Sequence, residues 1–420
     1  MREDVLQHIW RFGLFRQQKL RTHDGRSITI HKRGLWNSNA GPDFSNALIE
    51  IDGINWAGNV ELHVRSSDWH AHNHSSDHAY KNVILHVVLE HNAPELPDDI
   101  PALELKGLIH ESFLDNYEQL MHSREKIPCG NAIKRVPEEK LNWWLERVLI
   151  ERLESKTDRI FQILDFNKGD WEETTFQLLA RYFGAPLNAD PFEQLARKVS
   201  IRTIMKERYS LSHIEALLFG GANLIPGKSE SEYVQSMSTN ADHLLKKHSI
   251  RPMEAGLFKY FRVRPPGFPT IRLAQLSSFV FQSPALFSLV VGRNSIKEWQ
   301  KRLQFQVSPY WQRHYKFDDP EKERSVKRMN HIEQVLFINV IAPIAYAYGM
   351  QTGDQELKEY ALRILEDLYA EKNNITRTFS AYGATAQNAL QSQALIELKA
   401  KYCDKKRCLD CVIGNEITGK

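Results

Sequence analysis

No charge of one sign dominates this chain. Its 420 residues carry 55 Lys and Arg against 52 Asp and Glu, a formal net charge of +3. Global basicity is absent, so any nucleic-acid surface has to be a local patch. Cysteine is scarce, and four in this length exclude a secreted disulfide scaffold. Long apolar runs are missing as well. The longest candidate, Val335 to Tyr348, is interrupted by Asn339 and Pro343, so it reads as a buried helix and not as a membrane span. The first residues, MREDVLQHIW, lack the basic-then-apolar layout of a signal peptide. The expected location is the cytoplasm, without membrane contact. No repeat recurs at a solenoid period. The remaining composition, 42% hydrophobic and 25% charged, is that of a globular chain long enough for two or three domains.

Hydrophobic periodicity divides the chain unevenly. Asp4 to Phe15 has the apolar spacing of an amphipathic helix. Ser27–Lys32, Ala47–Ile51, Asn59–Val64 and Val83–Leu89 read as strands, with Asp52-Gly53 as the turn between the second and third. Leu103–Leu105 adds a short one. Beyond residue 110 the pattern becomes helical, as in Asn142–Leu164, Pro191–Met205, Ser212–Phe219 (stopped by Gly220-Gly221), Arg328–Tyr348 and Ala384–Lys401. The proline-rich stretch Arg262–Pro269 is loop, and Tyr310–Lys327 is expected at the surface. The fold class is therefore α+β. An α+β domain covers 1–110, a helical domain 111–400, and a cysteine-containing tail 401–420.

The stretch Gly41–His91 carries the chemistry. Asp43 follows Pro42 at the start of one strand, and Glu61 and His63 lie two apart on the next. Residues two apart on a strand share a face, so Glu61 and His63 point together while Val60, Leu62 and Val64 take the core side. Two carboxylates meeting on one sheet face can hold Mg²⁺ or Mn²⁺ and leave positions open for water and phosphate. The order of pieces is helix, strand, Pro-Asp before a strand, Glu-x-His on the next, then helix and strand. It resembles the αβββαβ core of the PD-(D/E)xK, restriction-endonuclease-like nucleases over the first quarter of the chain. The resemblance implies Asp43 and Glu61 as metal ligands and His63 in the position of the lysine. An imidazole there can act as base, donor or third ligand but not as a fixed cation. The plain alternative is a chance pattern beside ordinary turn carboxylates.

Three further groups of residues stand out. His70, His72 and His74 alternate in DWHAHNHSSDH, a density suited to metal ligation; the bland reading is a solvated loop leading into a helix over Ser76–Asn82. His86, within an apolar strand, is expected to be a buried, hydrogen-bonded structural residue. Cys403-x4-Cys408-x2-Cys411 has the ligand spacing of a zinc knot or of an iron–sulfur site, with Cys129 as the fourth ligand; the alternative is reduced thiols beside a basic tail. Arg262, Arg264 and Arg272 lie among aromatics around the proline-rich loop and are candidates for nucleic-acid contact.

GLWNSNAGPDF, WAGNVELHVRSSDWHAH, HAYKNVILHVV, RVRPPGFPTIRLAQL and CDKKRCLDCVIG together resemble a bacterial family, found chiefly in Bacteroidetes, known only as a domain of unknown function. That resemblance spans nearly the whole chain and implies no activity. The residues themselves lead to the expectation of a metal-dependent nuclease. The alternatives are a nuclease-like binding or scaffold protein without chemistry, and a histidine-metal hydrolase of another substrate. Convergence of Asp43, Glu61 and His63 favours the first; convergence of the loop histidines on Glu61 favours the last.

Overall fold

The computed structural model describes residues 1–72, 74, 77–92, 100–304, 306–319 and 330–419. The chain is mixed α+β, with an N-terminal sheet and a mostly helical remainder. Its contacts fall into two compact units. The first comprises Met1–Trp144, Asn374–Thr385 and Ile396–Lys420, and the second comprises Leu145–Asn373 and Ala386–Leu395. The cysteine tail groups with the sheet-bearing unit. Its last helix, Val412–Thr418, packs on helix Glu111–His122 and on the turn over Gly130–Arg135.

In the first unit, helix α1 (Glu3–Phe12) buries Val5, Leu6, Ile9 and Trp10 on one stripe. Gly13 ends it in the left-handed conformation, φ 66°, where a side chain would be strained. The strands are β1 (Leu20–Arg21), β2 (Ser27–Lys32), β3 (Leu35–Trp36), β4 (Phe44–Ile51), β5 (Ile54–Arg65), β6 (Val83–Glu90) and β7 (Ala102–Glu104). Their order is β1-β2-β4-β5-β6-β7, with β3 pairing β4. β2, β4 and β5 are antiparallel, whereas β5, β6 and β7 run parallel. One sheet face, including Phe44, Val60, Leu62, Leu85, Val87 and Leu103, shares a core with α1. The Asp52-Gly53 turn forms as the dipeptide predicts, with φ 49° and 78°, the paired positive values of a type I′ hairpin. β4 and β5 are longer than their periodicity indicates, because β3 and β2 extend the pairing at the two ends of β4.

The parallel β5–β6 pair requires a crossover. A four-residue helix α2 (Asp68–Ala71) and a single 3₁₀ turn at His78–Tyr80 supply it. The expected Ser76–Asn82 helix is reduced to that turn, and its first residue lies outside the described residues. The expected surface segment Tyr310–Lys327 is described only as far as Asp319, and Arg328 also lies outside.

The second unit is helical. Its apolar helix over residues 332–352 is long and apolar enough, by length and composition, to cross a membrane, yet 67% of that window is buried within the protein. Asn339 and Pro343 do not interrupt it. A π turn at Phe337–Ile341 precedes the proline and widens the helix where the i−4 bond is lost. Lys156 Nζ donates to the Ile338 carbonyl at 2.9 Å. The helix Leu211–Gly221 ends on the Gly220-Gly221 pair, as expected, and the side chains of Ala241 and Val199 pack directly against these glycines. The predicted single helix over Pro191–Met205 is two, Ala189–Lys198 and Ile201–Lys206, the second capped by Ser200.

Candidate metal centre

The alternation of β5 places Val60 and Leu62 on the α1 face and Glu61 and His63 on the other. Residues of both sets are nearly or wholly buried. The parallel register sets Glu61 opposite His86, so His86 stands on the same face. Asp43 enters β4 just before Phe44, which pairs with Val60. A bulge follows between Phe44 and Ala47, with Asn46 at φ 58°, a conformation asparagine tolerates better than most residues. Asp43 is fixed by three hydrogen bonds. Its N–H donates to Glu61 Oε2 at 3.0 Å, Leu62 N–H donates to its Oδ2 at 3.0 Å, and Gln7 Nε2 of α1 donates to its Oδ1 at 2.7 Å.

Beside this pair the crossover places two more histidines, His74 half-buried and His72 exposed. One ligand nitrogen from each of His63, His72 and His74 lies within 4.8 Å of the others. His63 Nε2 is 3.1 Å from His72 Nδ1 and 3.7 Å from Glu61 Oε1. His74 Nε2 is 3.4 Å from the same Glu61 oxygen but is buried without an aligned hydrogen-bond partner. The other nitrogen of His63, Nδ1, is 2.8 Å from His86 Nε2. In the tautomer in which His63 Nδ1 carries the proton and donates it to His86 Nε2, His63 Nε2 presents its lone pair to the cluster, as a ligating imidazole held by an outer hydrogen bond does. Tyr80 stacks on His74 with ring centroids 3.8 Å apart, and Trp69 meets His63 edge-on at 6.3 Å. These contacts fix both rings.

The electrostatics are those of a site short of positive charge. Burial pushes the Asp43 carboxyl up to about 7, despite the Leu62 N–H that opposes it. Burial, and then the neighbouring Asp43, push Glu61 up to about 9. Burial and the adjacent imidazoles drive His63 down to about 2, and burial drives His86 down to about 3. His74 is lowered for the same reason. No lysine or arginine is among the groups that act on either carboxyl. A divalent ion would reverse the penalty on the two carboxyls and would suit imidazoles already held neutral, since its ligands must be deprotonated. Three imidazoles and a carboxylate are a donor set for zinc, manganese or another first-row ion; magnesium prefers oxygen ligands.

Of the residues singled out in the sequence, Asp43, Glu61, His63, His72 and His74 come together. His70 does not: it is exposed on α2, outside the three-histidine group, because the short helix turns it away from its neighbours. His86 is the buried, hydrogen-bonded residue expected of it. Gln7, Glu3, Trp69 and Tyr80 escaped sequence reasoning; each reaches the site from an element whose local pattern only reports packing. In the second unit Arg262 and Arg264 are exposed. Arg272 is turned inward, its Nη1 donating to Gln275 at 2.9 Å and its guanidinium lowered to about 10 by burial, so it presents no open cation to a phosphate.

Beside the site the first unit holds a cleft of about 770 Å³. Gln7 lines it and bonds Asp43 on its other side. Arg2, Arg11, Lys405, Lys406 and Arg407 form much of its wall, with Trp36, Tyr117 and Tyr402 between them.

A family model described as protein of unknown function (DUF2851) matches residues 3–374. The chain belongs to that family. The matched stretch contains Asp43, Glu61, all three clustered histidines and Cys129, and ends before the other cysteines. No curated protein and no solved structure matches the chain.

Proposed function

We propose that this protein is a metal-dependent hydrolase. Its ion is held by His63, His72 and His74 together with Glu61, and its substrate is a nucleic-acid phosphodiester. The observation that carries the reading is the convergence of three imidazole nitrogens within 4.8 Å, two of whose rings, His63 and His74, also stand 3.7 and 3.4 Å from the Glu61 carboxylate. Bound there, a divalent ion would polarise a phosphoryl oxygen and acidify a water. Asp43, held by Gln7 and pushed to about 7, is suited to take the proton from that water. His63 acts as a ligand and not as a base, because its two nitrogens are committed to the cluster and to His86.

Two observations support the substrate class. The Pro-Asp before β4 and the Glu-x-His on β5 resemble the ligand motifs of the PD-(D/E)xK nucleases. The adjoining cleft interleaves basic and aromatic side chains, which track phosphates and stack bases. The exposed Arg262 and Arg264 belong to the other unit, and the reading does not depend on them.

His72 is exposed, so His72→Ala should fold normally. Calorimetry with Mn²⁺ and Zn²⁺ is expected to show affinity reduced by about 10- to 100-fold or more, and cleavage of labelled DNA and RNA should fall with it. Unchanged metal affinity would sink the three-histidine assignment and return the carboxylates to a Mg²⁺ site. Tight metal binding by the wild type without cleavage of any strand would favour a binding protein. Neutralising Arg11 and Lys405 together should weaken nucleic-acid binding almost equally across sequences. It should also flatten the salt dependence by roughly 0.7–0.9 log units for each phosphate the cleft no longer neutralises. An unaltered salt slope would remove the cleft from the binding surface.

A further inference from the structure

A second set of metal-seeking side chains lies in the first unit, apart from the histidine centre. Cys129, Cys408 and Cys411 are buried, Cys403 is half-buried, and all four are free thiols. Cys129 precedes the turn Gly130–Arg135, far away in sequence from the other three. Those three follow one another through a π turn at Lys399–Cys403, a 3₁₀ turn at Cys408–Asp410 and the helix Val412–Thr418. That last helix packs on both the 408–410 turn and the 130–135 turn, and so brings the remote thiol to the others. The Cys403 thiol is influenced by Cys129, Cys408 and Cys411, and the Cys129 thiol by Cys408 and Cys411.

The surroundings are built for sulfur carrying negative charge. The backbone N–H groups of Ile413 and Gly414 are directed at Cys411. The Trp144 indole N–H is buried without an oxygen acceptor and lies beside the same sulfur. A Cβ on Gly414 would stand 2.0 Å from the Cys408 carbonyl oxygen, so only glycine lets the helix start close on this loop.

We propose that Cys129, Cys403, Cys408 and Cys411 bind a thiophilic metal centre that staples the C-terminal segment to the sheet-bearing unit. A single zinc ion about 2.3 Å from each sulfur needs the sulfurs about 3.8 Å apart. An iron–sulfur cluster takes four thiolates as well, spread over more than one iron. The centre also fixes the loop that carries Lys405, Lys406 and Arg407 to the cleft wall. The proposed hydrolytic centre uses none of the four cysteines, so the two metal sites stand or fall separately.

The test uses the full chain with the histidine centre disabled by His72→Ala and His74→Ala, purified without oxygen. Iron, zinc and acid-labile sulfide are measured per chain, and X-ray absorption reports the first shell of whichever metal is present. A stoichiometric metal with a sulfur-only shell is expected. Iron with labile sulfide identifies a cluster; zinc without sulfide identifies a single-ion site. Cys408→Ser with Cys411→Ser should lose that metal, and Gly414→Ala should retain less of it. The absorption measurement on protein with all four cysteines needs no cysteine variant to fold. Substoichiometric metal with all four thiols open to a disulfide reagent, or a shell of nitrogen and oxygen, would overturn the proposal.

Discussion

Glutamine at position 61 is expected to lower phosphodiester cleavage by about 1,000-fold, which corresponds to roughly 4 kcal/mol of lost transition-state stabilisation. The substitution keeps the size of the side chain, and its amide oxygen can still accept from Asp43 N–H, the bond that Glu61 Oε2 accepts at 3.0 Å. What it removes is the charge nearest His63 and His74, at 3.7 and 3.4 Å. The metal affinity should fall in parallel while the far-ultraviolet circular dichroism is unchanged. Calorimetry and single-turnover cleavage on the same preparation separate the two effects. Full activity in Glu61→Gln would exclude Glu61 from the chemistry and, with it, the proposed centre.

The metal-free protein is expected to be most stable between about pH 4.5 and 6.5. Asp43 and Glu61 rise from 3.8 to about 7 and from 4.5 to about 9 on folding. Above their unfolded values the unfolded chain has released protons that the folded site retains. Stability therefore falls as pH rises, until each group ionises in the fold. His63 and His86 move the other way, from 6.5 to about 2 and about 3. Below pH 6.5 the unfolded chain gains protons that the folded site refuses, and stability falls as pH drops. In the overlap the two slopes oppose each other; outside it each unmatched proton contributes about 1.4 kcal/mol per pH unit. Alkaline loss should run to about pH 9, where Glu61 ionises. Saturating Mn²⁺ or Zn²⁺ should abolish that branch and release protons on binding. Thermal melts from pH 4 to 9, with chelator or with metal, measure both. An alkaline branch that metal leaves untouched would mean that the carboxyls do not meet the ion.

The sequence by itself determined the local pieces. α1 is legible because Val5, Ile9 and Trp10 recur at helical spacing, and the β4–β5 hairpin because Asp52-Gly53 accepts positive φ at both turn positions. The shared face of Glu61 and His63 follows from the period of a strand. A period says which side chains share a face, but not what lies across from them. The tertiary structure decided the rest. The parallel register sets His86 beside His63, the crossover groups His72 and His74 with His63 but not His70, and α1 delivers Gln7 to Asp43. Gly220-Gly221 reads as a stop from local propensity and does close its helix, but that Ala241 and Val199 pack directly against the pair is known only from the fold. Cys129 joins the tail cysteines only through the docking of the last helix. Such contacts depend on free energies summed over distant residues, which no local window contains.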